Sequence, residues 1–132
     1  MTLSGRTIVV LGATGGLGRA VTERFRDDGA SVLAFDARIP AAGDRQDRVE
    51  YVAVDALDET SVAAAFAQAP GGAVVNLIGG YAPPQRVAML DIGVLRQQFE
   101  VNLVTAGHAG LTLSSELLKV AVNVRSIARL GD

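Results

Sequence analysis

The chain has 132 residues, 49% of them apolar and 20% charged, with a net charge of −2. That is enough chain for one domain (1–132) with a real core, and it excludes a disordered segment. Lys119 is the only lysine and no basic run exists to seat a phosphate backbone; without cysteine there is no disulfide, thiolate metal site or cysteine nucleophile; no apolar run reaches a membrane span. Nucleic acid, membrane and metal are therefore not expected as partners, and a reducing cytoplasm is the expected compartment.

Residues 1–6 lead straight into a first strand at 7–11, which leaves no segment that reads as a leader peptide. From Leu17 to Asp28, Leu17, Ala20, Val21 and Phe25 recur at helical spacing opposite Arg19, Glu23, Arg26 and Asp27, and Gly29 ends the helix. A second buried strand, 31–35, finishes in Asp36. The polar stretch 38–48, with Pro40 and Gly43, reads as a loop without secondary structure. A third strand, 51–54, ends in Asp55. Asp58 is the expected N-cap of an alanine-rich helix running to about Gln68, with Leu57 and Val62 as a hydrophobic staple, and 70–72 stops it. A fourth strand covers 73–78 and breaks at Gly79 and Gly80. The longest helical segment follows at 92–119, with a break near Asn102, and a fifth strand at 120–124.

Strands that alternate with helices, and that are apolar throughout rather than every second residue, predict a parallel sheet covered on both faces. Right-handed crossovers make it a doubly wound, Rossmann-like α/β fold in strand order 3-2-1-4-5. Ligands in that fold sit at the carboxyl ends of the strands where the order reverses, here between strands 1 and 4. The unusual residues, 12–18, Asp36, Asp55 and 76–80, all fall on that edge.

The glycine turn is the centre of this reading. A strand that feeds a helix through glycines presents unpaired backbone N–H groups, at the positive end of the helix dipole, to one point in space, which suits a pyrophosphate. Glycines also serve merely to let a helix pack close to a strand. Asp36, about twenty residues from the turn, is placed to accept from an adenosine ribose, though a solvated carboxylate at a strand end would look the same in sequence.

The spacing Gly12-x3-Gly16-x-Gly18 resembles the first turn of the short-chain dehydrogenase/reductase family, with Leu11 in place of that family's threonine. Asp55-Ala56 is similar to the family's adenine-contacting pair, 76–79 to its N-N-A-G element, Val101-Asn102-Leu103 to its V-N-L, and 122–126 to its fifth-strand motif with Arg125 in place of a small residue. The resemblance implies cofactor contacts from Gly12, Thr14, Gly15, Gly16, Leu17, Gly18, Asp36, Asp55, Ala56, Asn76 and Gly79. It also implies vestigial catalytic positions at Asn102 and Ser126, the latter equally readable as a surface serine. The family's chemistry requires a tyrosine and, four residues later, a lysine that lowers its pKa. No Tyr-x-x-x-Lys occurs here: Asp55 and Gln85 stand four residues after Tyr51 and Tyr81. His108, the remaining acid/base, reads as a packing or surface residue, and no metal is expected with one histidine.

An acid at Asp36 repels a 2′-phosphate and accepts from a free 2′-OH, so NAD(H) is favoured over NADP(H), with Arg38 the residue that could reverse this. The expected protein is an oxidoreductase scaffold of the short-chain dehydrogenase/reductase type, truncated relative to the family and incompetent in hydride transfer. A non-catalytic dinucleotide-binding module or an oligomerising structural protein are the alternatives. A homo-oligomer is expected through the long helix, on a face including Val101, Val104, Leu111 and Leu118, or through the open edge of strand 5.

Overall fold

The computed structural model describes residues 2–69, 73–83, 89, 91–112 and 122–123, with 110–112 and 122–123 described by their backbone. Within them lie β1 (Thr7–Leu11), α1 (Gly16–Asp27), β2 (Ser31–Asp36), β3 (Val49–Ala53), α2 (Glu59–Phe66), β4 (Ala73–Asn76), α3 (Ile92–Phe99), α4 (Thr105–Thr112) and β5 (Val122–Asn123). The strands form one parallel sheet in the order β3-β2-β1-β4-β5, as the alternation of elements requires. Register brings Leu11 beside Phe35 and Asn76, so the ends of β1, β2 and β4 are level.

Successive strand residues point to opposite faces, and each face has its own core. Val9, Leu11, Leu33, Phe35 and Val74 pack with Val62, Ala65, Phe66 and Ala109 from α2 and α4. Ile8, Val10, Val32 and Ala34 pack with Ala13, Leu77 and the half-buried Val21 and Phe25 of α1. Phe35 is fully buried and meets Phe66 edge to face, with ring centres 5.5 Å apart. The central strands β1 and β2 are buried along nearly their whole length, whereas β3, at the sheet edge, is half-exposed.

Several boundaries differ from the sequence reading for local reasons. In α1 the buried residues are Gly18 and Thr22, flanked by the half-buried Val21 and Phe25; Leu17 and Ala20 turn outward, because the helix sits so close to the glycine loop that only Gly18 fits beneath it. Gly29, at φ +92°, ends this helix in a Schellman arrangement: the Ala30 N–H donates to the Phe25 carbonyl and the Gly29 N–H to that of Arg26. Residues Ala42–Asp44 form a short 3₁₀ turn inside the expected loop. β3 starts at Val49 rather than Tyr51. β4 stops at Asn76 rather than Ile78, since Asn76 Oδ1 accepts the Ile78 N–H at 3.0 Å and takes that amide out of the sheet. α2 ends at Phe66, and the next residues tighten into i→i−3 bonds, Gln68 to Ala65 and Ala69 to Phe66. Asp58 caps α2 as expected, accepting the Thr60 N–H at 2.9 Å, but Leu57 remains 48% exposed, so Val62 is buried by the core rather than by a staple.

The long helix is not broken near Asn102. It widens there: Glu100–Val104 is a π-helical turn joining α3 to α4, and the Thr105 N–H donates to the Glu100 carbonyl. This shifts the register of everything that follows. The apolar residues left exposed on the helix are Ile92, Leu95 and Phe99 before the turn and Leu103 within it, while Val101 and Val104, expected on the outer face, are half-buried. Leu118, Lys119 and Ser126 lie outside the described residues, as do the side chains of Leu111 and Asn123. Among the described residues no helix is long and apolar enough to cross a membrane, and no cluster of side chains could hold a metal ion.

Candidate dinucleotide site

The turn after β1 is built from glycines that differ in what requires them. Gly12 has φ +76°, and a Cβ there would lie 3.0 Å from the Leu77 carbonyl carbon and 3.1 Å from the Ile78 nitrogen, so the turn lies directly against the chain leaving β4. A Cβ on Gly18 would overlap the Gly12 carbonyl oxygen and come within 2.7 Å of the Ala13 carbonyl carbon. Both glycines are needed by the protein itself. Gly16 is different: a Cβ there would meet nothing within 4 Å. No contact among the described residues accounts for a glycine at that position.

Gly16 opens α1, and the end of this helix is uncapped. Gly15 at the N-cap gives no side-chain bond and no acid occupies the first turn, whereas α2 and α3 are capped by Asp58 and Asp91. The Gly15 N–H turns back to the Gly12 carbonyl at 3.3 Å and the Arg19 N–H to that of Gly15 at 2.9 Å, which leaves the amides of Gly16, Leu17 and Gly18 without acceptors among the described residues. Three orphan donors at the positive end of a twelve-residue helix make a site for an anion. Leu17, half-exposed, stands beside them.

Asp36, at the end of β2, is held against this turn. Its Oδ2 accepts the Thr14 N–H at 3.0 Å and its Oδ1 the Arg38 N–H at 3.3 Å. The acid is thus a brace for the glycine turn as well as a group facing the cleft, which its position in the sequence did not reveal. Each carboxylate oxygen keeps a lone pair for a further donor. Gln46 closes the far side of the intervening loop, donating from Nε2 to the Arg19 carbonyl at 3.1 Å, and its N–H donates to the Tyr51 hydroxyl at 3.3 Å.

After β3, Asp55 forms a tight turn: the Ser61 hydroxyl accepts the Asp55 N–H at 3.0 Å, and Asp55 Oδ1 accepts that of Leu57 at 2.9 Å. Ala56 is buried, and its carbonyl lies 3.0 Å from His108 Nδ1 on α4. After β4, Asn76 is only 4% exposed, with Nδ2 buried and without a partner among the described residues. Its side chain shapes the path of the chain past Gly12, and Gly79 follows at the cleft.

Asn102 reaches the same edge from the π-helical turn. Its Oδ1 accepts the Gly80 N–H at 3.0 Å, and its Nδ2 donates to the Gly80 carbonyl at 3.1 Å and to the Gln98 carbonyl at 2.9 Å. A primary amide here pairs with a backbone peptide as a strand would. Both ends of the Asn102 side chain are engaged, so what it does for the site is to fix Gly80 and the helix relative to each other. Thr105 repeats the theme, its hydroxyl donating to the Val101 carbonyl at 2.7 Å inside the widened turn.

Of the residues expected at one site, the structure brings Gly12, Thr14, Gly15, Gly16, Leu17, Gly18 and Asp36 together, with Asp55, Ala56, Asn76 and Gly79 at the adjoining strand ends, and Asn102 behind Gly80. Sequence reasoning missed the brace from Thr14 to Asp36 and the contact from His108 to Ala56, since both join residues distant in the chain.

Comparison with known proteins agrees with this geometry. The sequence model of the family described as "NAD dependent epimerase/dehydratase family" matches residues 8–129. Over 67 residues the chain is 31% identical to short-chain dehydrogenase/reductase prx4 of Penicillium roqueforti, an alignment that covers 51% of this chain and 20% of that protein. Its fold is similar to that of gox2181, with a TM-score of 0.75 and 20% identity over 84% of this chain and 48% of that one. It is also similar to the ligand-free aldohexose dehydrogenase of Thermoplasma acidophilum, with a TM-score of 0.75 and 23% identity over 92% and 49%. The 3-ketoacyl-(acyl-carrier-protein) reductase of Brucella melitensis, solved in complex with NADH, matches with a TM-score of 0.71 and 24% identity over 85% and 50%. The chain spans about half the length of these solved proteins.

Proposed function

The chain belongs to the NAD dependent epimerase/dehydratase family, and on that premise we propose that it is the dinucleotide-binding part of a short-chain dehydrogenase/reductase-type oxidoreductase, able to bind NAD(H) but not, with the residues it contains, to transfer hydride. The observation that carries the reading is Gly16. It is a glycine that no described neighbour requires, at the uncapped start of α1, beside three amides without acceptors among the described residues. A diphosphate supplies both missing terms, a negative charge with acceptor oxygens for the amides and a body that a Cβ would obstruct.

The remaining residues take roles in the same arrangement. Asp36 accepts from the hydroxyls of the adenosine ribose, which favours NAD(H) over NADP(H), because a 2′-phosphate would meet a carboxylate already fixed in place by Thr14. Asp55 and Ala56 face the adenine, and Asn76, Gly79 and Gly80 form the wall that Asn102 holds in position. When bound, NAD(H) supplies the hydride donor or acceptor. The proton transfer that accompanies hydride transfer needs an acid of adjusted pKa, and the sequence contains no Tyr-x-x-x-Lys to provide it. Tyr51 is committed to Gln46, and Asn102 to Gly80.

Calorimetric titration with NADH and NADPH tests this. Saturable binding of NADH, tighter than that of NADPH and without turnover of alcohols or ketones, is the expected result. Flat titrations with both would refute the binding role, and NAD-linked turnover that depends on Asn102 would refute the non-catalytic one.

The exposed apolar row Ile92, Leu95, Phe99 and Leu103 on the long helix supports a second element of the proposal, self-association through that helix. Among the described residues nothing covers these side chains, and Phe99 and Leu103 are 55% and 61% exposed. Cysteine-free composition is in keeping with work in the cytoplasm.

A further inference from the structure

His108 is the chain's only histidine, and its Nδ1 lies 3.0 Å from the carbonyl oxygen of Ala56, 52 residues earlier. We propose that His108 is a positioning residue for adenine recognition: it donates from Nδ1 to the Ala56 carbonyl and thereby fixes the Asp55–Ala56–Leu57 turn in the conformation that reads the base. The assignment rests on the dinucleotide reading above and extends it to a residue outside the turn itself.

A carbonyl oxygen can only accept, so at 3.0 Å the proton must lie on His108 Nδ1. The bond holds one edge of the turn. The others are held by the Ser61 hydroxyl accepting from the Asp55 N–H and by Asp55 Oδ1 accepting from the Leu57 N–H. What stays unengaged among the described residues is one acceptor and one donor, Asp55 Oδ2 and the Ala56 N–H, on consecutive residues. An acceptor next to a donor is the complement of adenine's edge, where the exocyclic amine donates and the adjoining ring nitrogen accepts. Hypoxanthine presents the reverse, an oxygen that accepts beside a ring N–H that donates. Discrimination between these bases depends on the two protein groups holding their orientation, and the peptide planes on both sides of Ala56 set it.

The latch also has a rigid base. Ala109, the next residue, is buried in the core with Phe35, Val62 and Val74, and the π-helical turn preceding α4 is tied to Gly80 through Asn102. Movement of the Ala56 carbonyl relative to the sheet is therefore resisted by the core on one side and by the imidazole on the other.

The test compares binding of NADH and of reduced nicotinamide hypoxanthine dinucleotide to the wild-type chain, His108→Leu and His108→Asn. The wild type prefers the adenine form; His108→Leu loses about 3- to 10-fold of that preference, as expected for one hydrogen bond, and His108→Asn, whose carboxamide N–H can replace Nδ1–H, regains most of it. A role confined to packing would lower stability and affinity for both dinucleotides equally and leave their ratio unchanged, which would overturn the assignment while the dinucleotide reading stood. Failure of the wild type to bind either dinucleotide would overturn both. A second measurement needs no variant: nitrogen-15 spectra of the wild-type neutral imidazole show the Nδ1–H tautomer if the assignment holds and the Nε2–H tautomer if it does not.

Discussion

Two alanine substitutions two residues apart in one glycine turn separate folding from binding. In Gly18→Ala the new methyl overlaps the Gly12 carbonyl oxygen and lies 2.7 Å from the Ala13 carbonyl carbon and 2.8 Å from its Cα. Carbon atoms pack at about 3.5–4.0 Å, so α1 must retreat from the turn by most of an ångström. The turn cannot yield, because the Gly12 N–H is bonded to the Phe35 carbonyl at 2.9 Å and Gly12 rests on the Leu77 backbone. Overpacking of this kind costs about 1–3 kcal/mol, and against two backbones the upper end is expected. In Gly16→Ala the methyl meets nothing within 4 Å among the described residues beyond its own helix and chain neighbours, and replacing glycine at a helical residue restricts the unfolded chain, a gain of up to about 1 kcal/mol. If a diphosphate occupies that space, the same methyl lowers NADH affinity at least about tenfold, or about 1.4 kcal/mol. Urea denaturation gives the stabilities and a fluorescence titration with NADH the affinities. Gly16→Ala binding NADH as tightly as the wild type, or Gly18→Ala unfolding at the wild-type midpoint, would refute the reasoning.

Asp36→Ala frees the Thr14 and Arg38 amides and is expected to cost about 1–2 kcal/mol of stability, while bringing NADPH affinity up to or above that of NADH; unchanged cofactor preference in paired titrations would count against the ribose role. Asn102→Leu leaves both the N–H and the carbonyl of Gly80 unpaired in a half-buried setting, an expected loss of about 2–3 kcal/mol by urea denaturation, with faster amide exchange at Gly80 as the local signature. Removal of the α2 cap in Asp58→Ala should cost about 1 kcal/mol and leave NADH binding untouched, since the cap serves only the Thr60 amide. Phe99→Glu places a charge in the middle of the exposed helical row; sedimentation should show smaller species than the wild type, and a wild type that is monomeric at high concentration would rule out this surface as the contact.

The strand order, the placement of the glycine turn, Asp36, Asp55 and Asn76 on one edge of the sheet and the glycine turn itself were legible in the sequence because each depends on local pattern. β1 and β2 are apolar throughout since both faces are covered, and this reads as a continuous apolar run without reference to any partner. Asp58 and Gly29 announce a helix start and a helix end by chemistry confined to a few residues. The parts that were not legible have the opposite character. The outward turn of Leu17 depends on how closely α1 approaches Ala13, and the half-burial of Val101 and Val104 goes with a π-helical turn whose extra residue per turn shifts the periodicity from Glu100 onward.

The sequence by itself thus determined the class of fold and the family, because periodicity, turn chemistry and spacing act over a few residues and survive without knowledge of contacts. Only the tertiary structure separated Gly12 and Gly18, which the packing requires, from Gly16, whose Cβ would meet nothing among the described residues, made Asp36 a brace for the glycine turn, gave the Asn102 side chain to Gly80, and brought His108 to Ala56. The last three are contacts between residues 22, 22 and 52 apart in the chain, and such contacts follow from the packing of helices on the sheet rather than from any local preference of the chain.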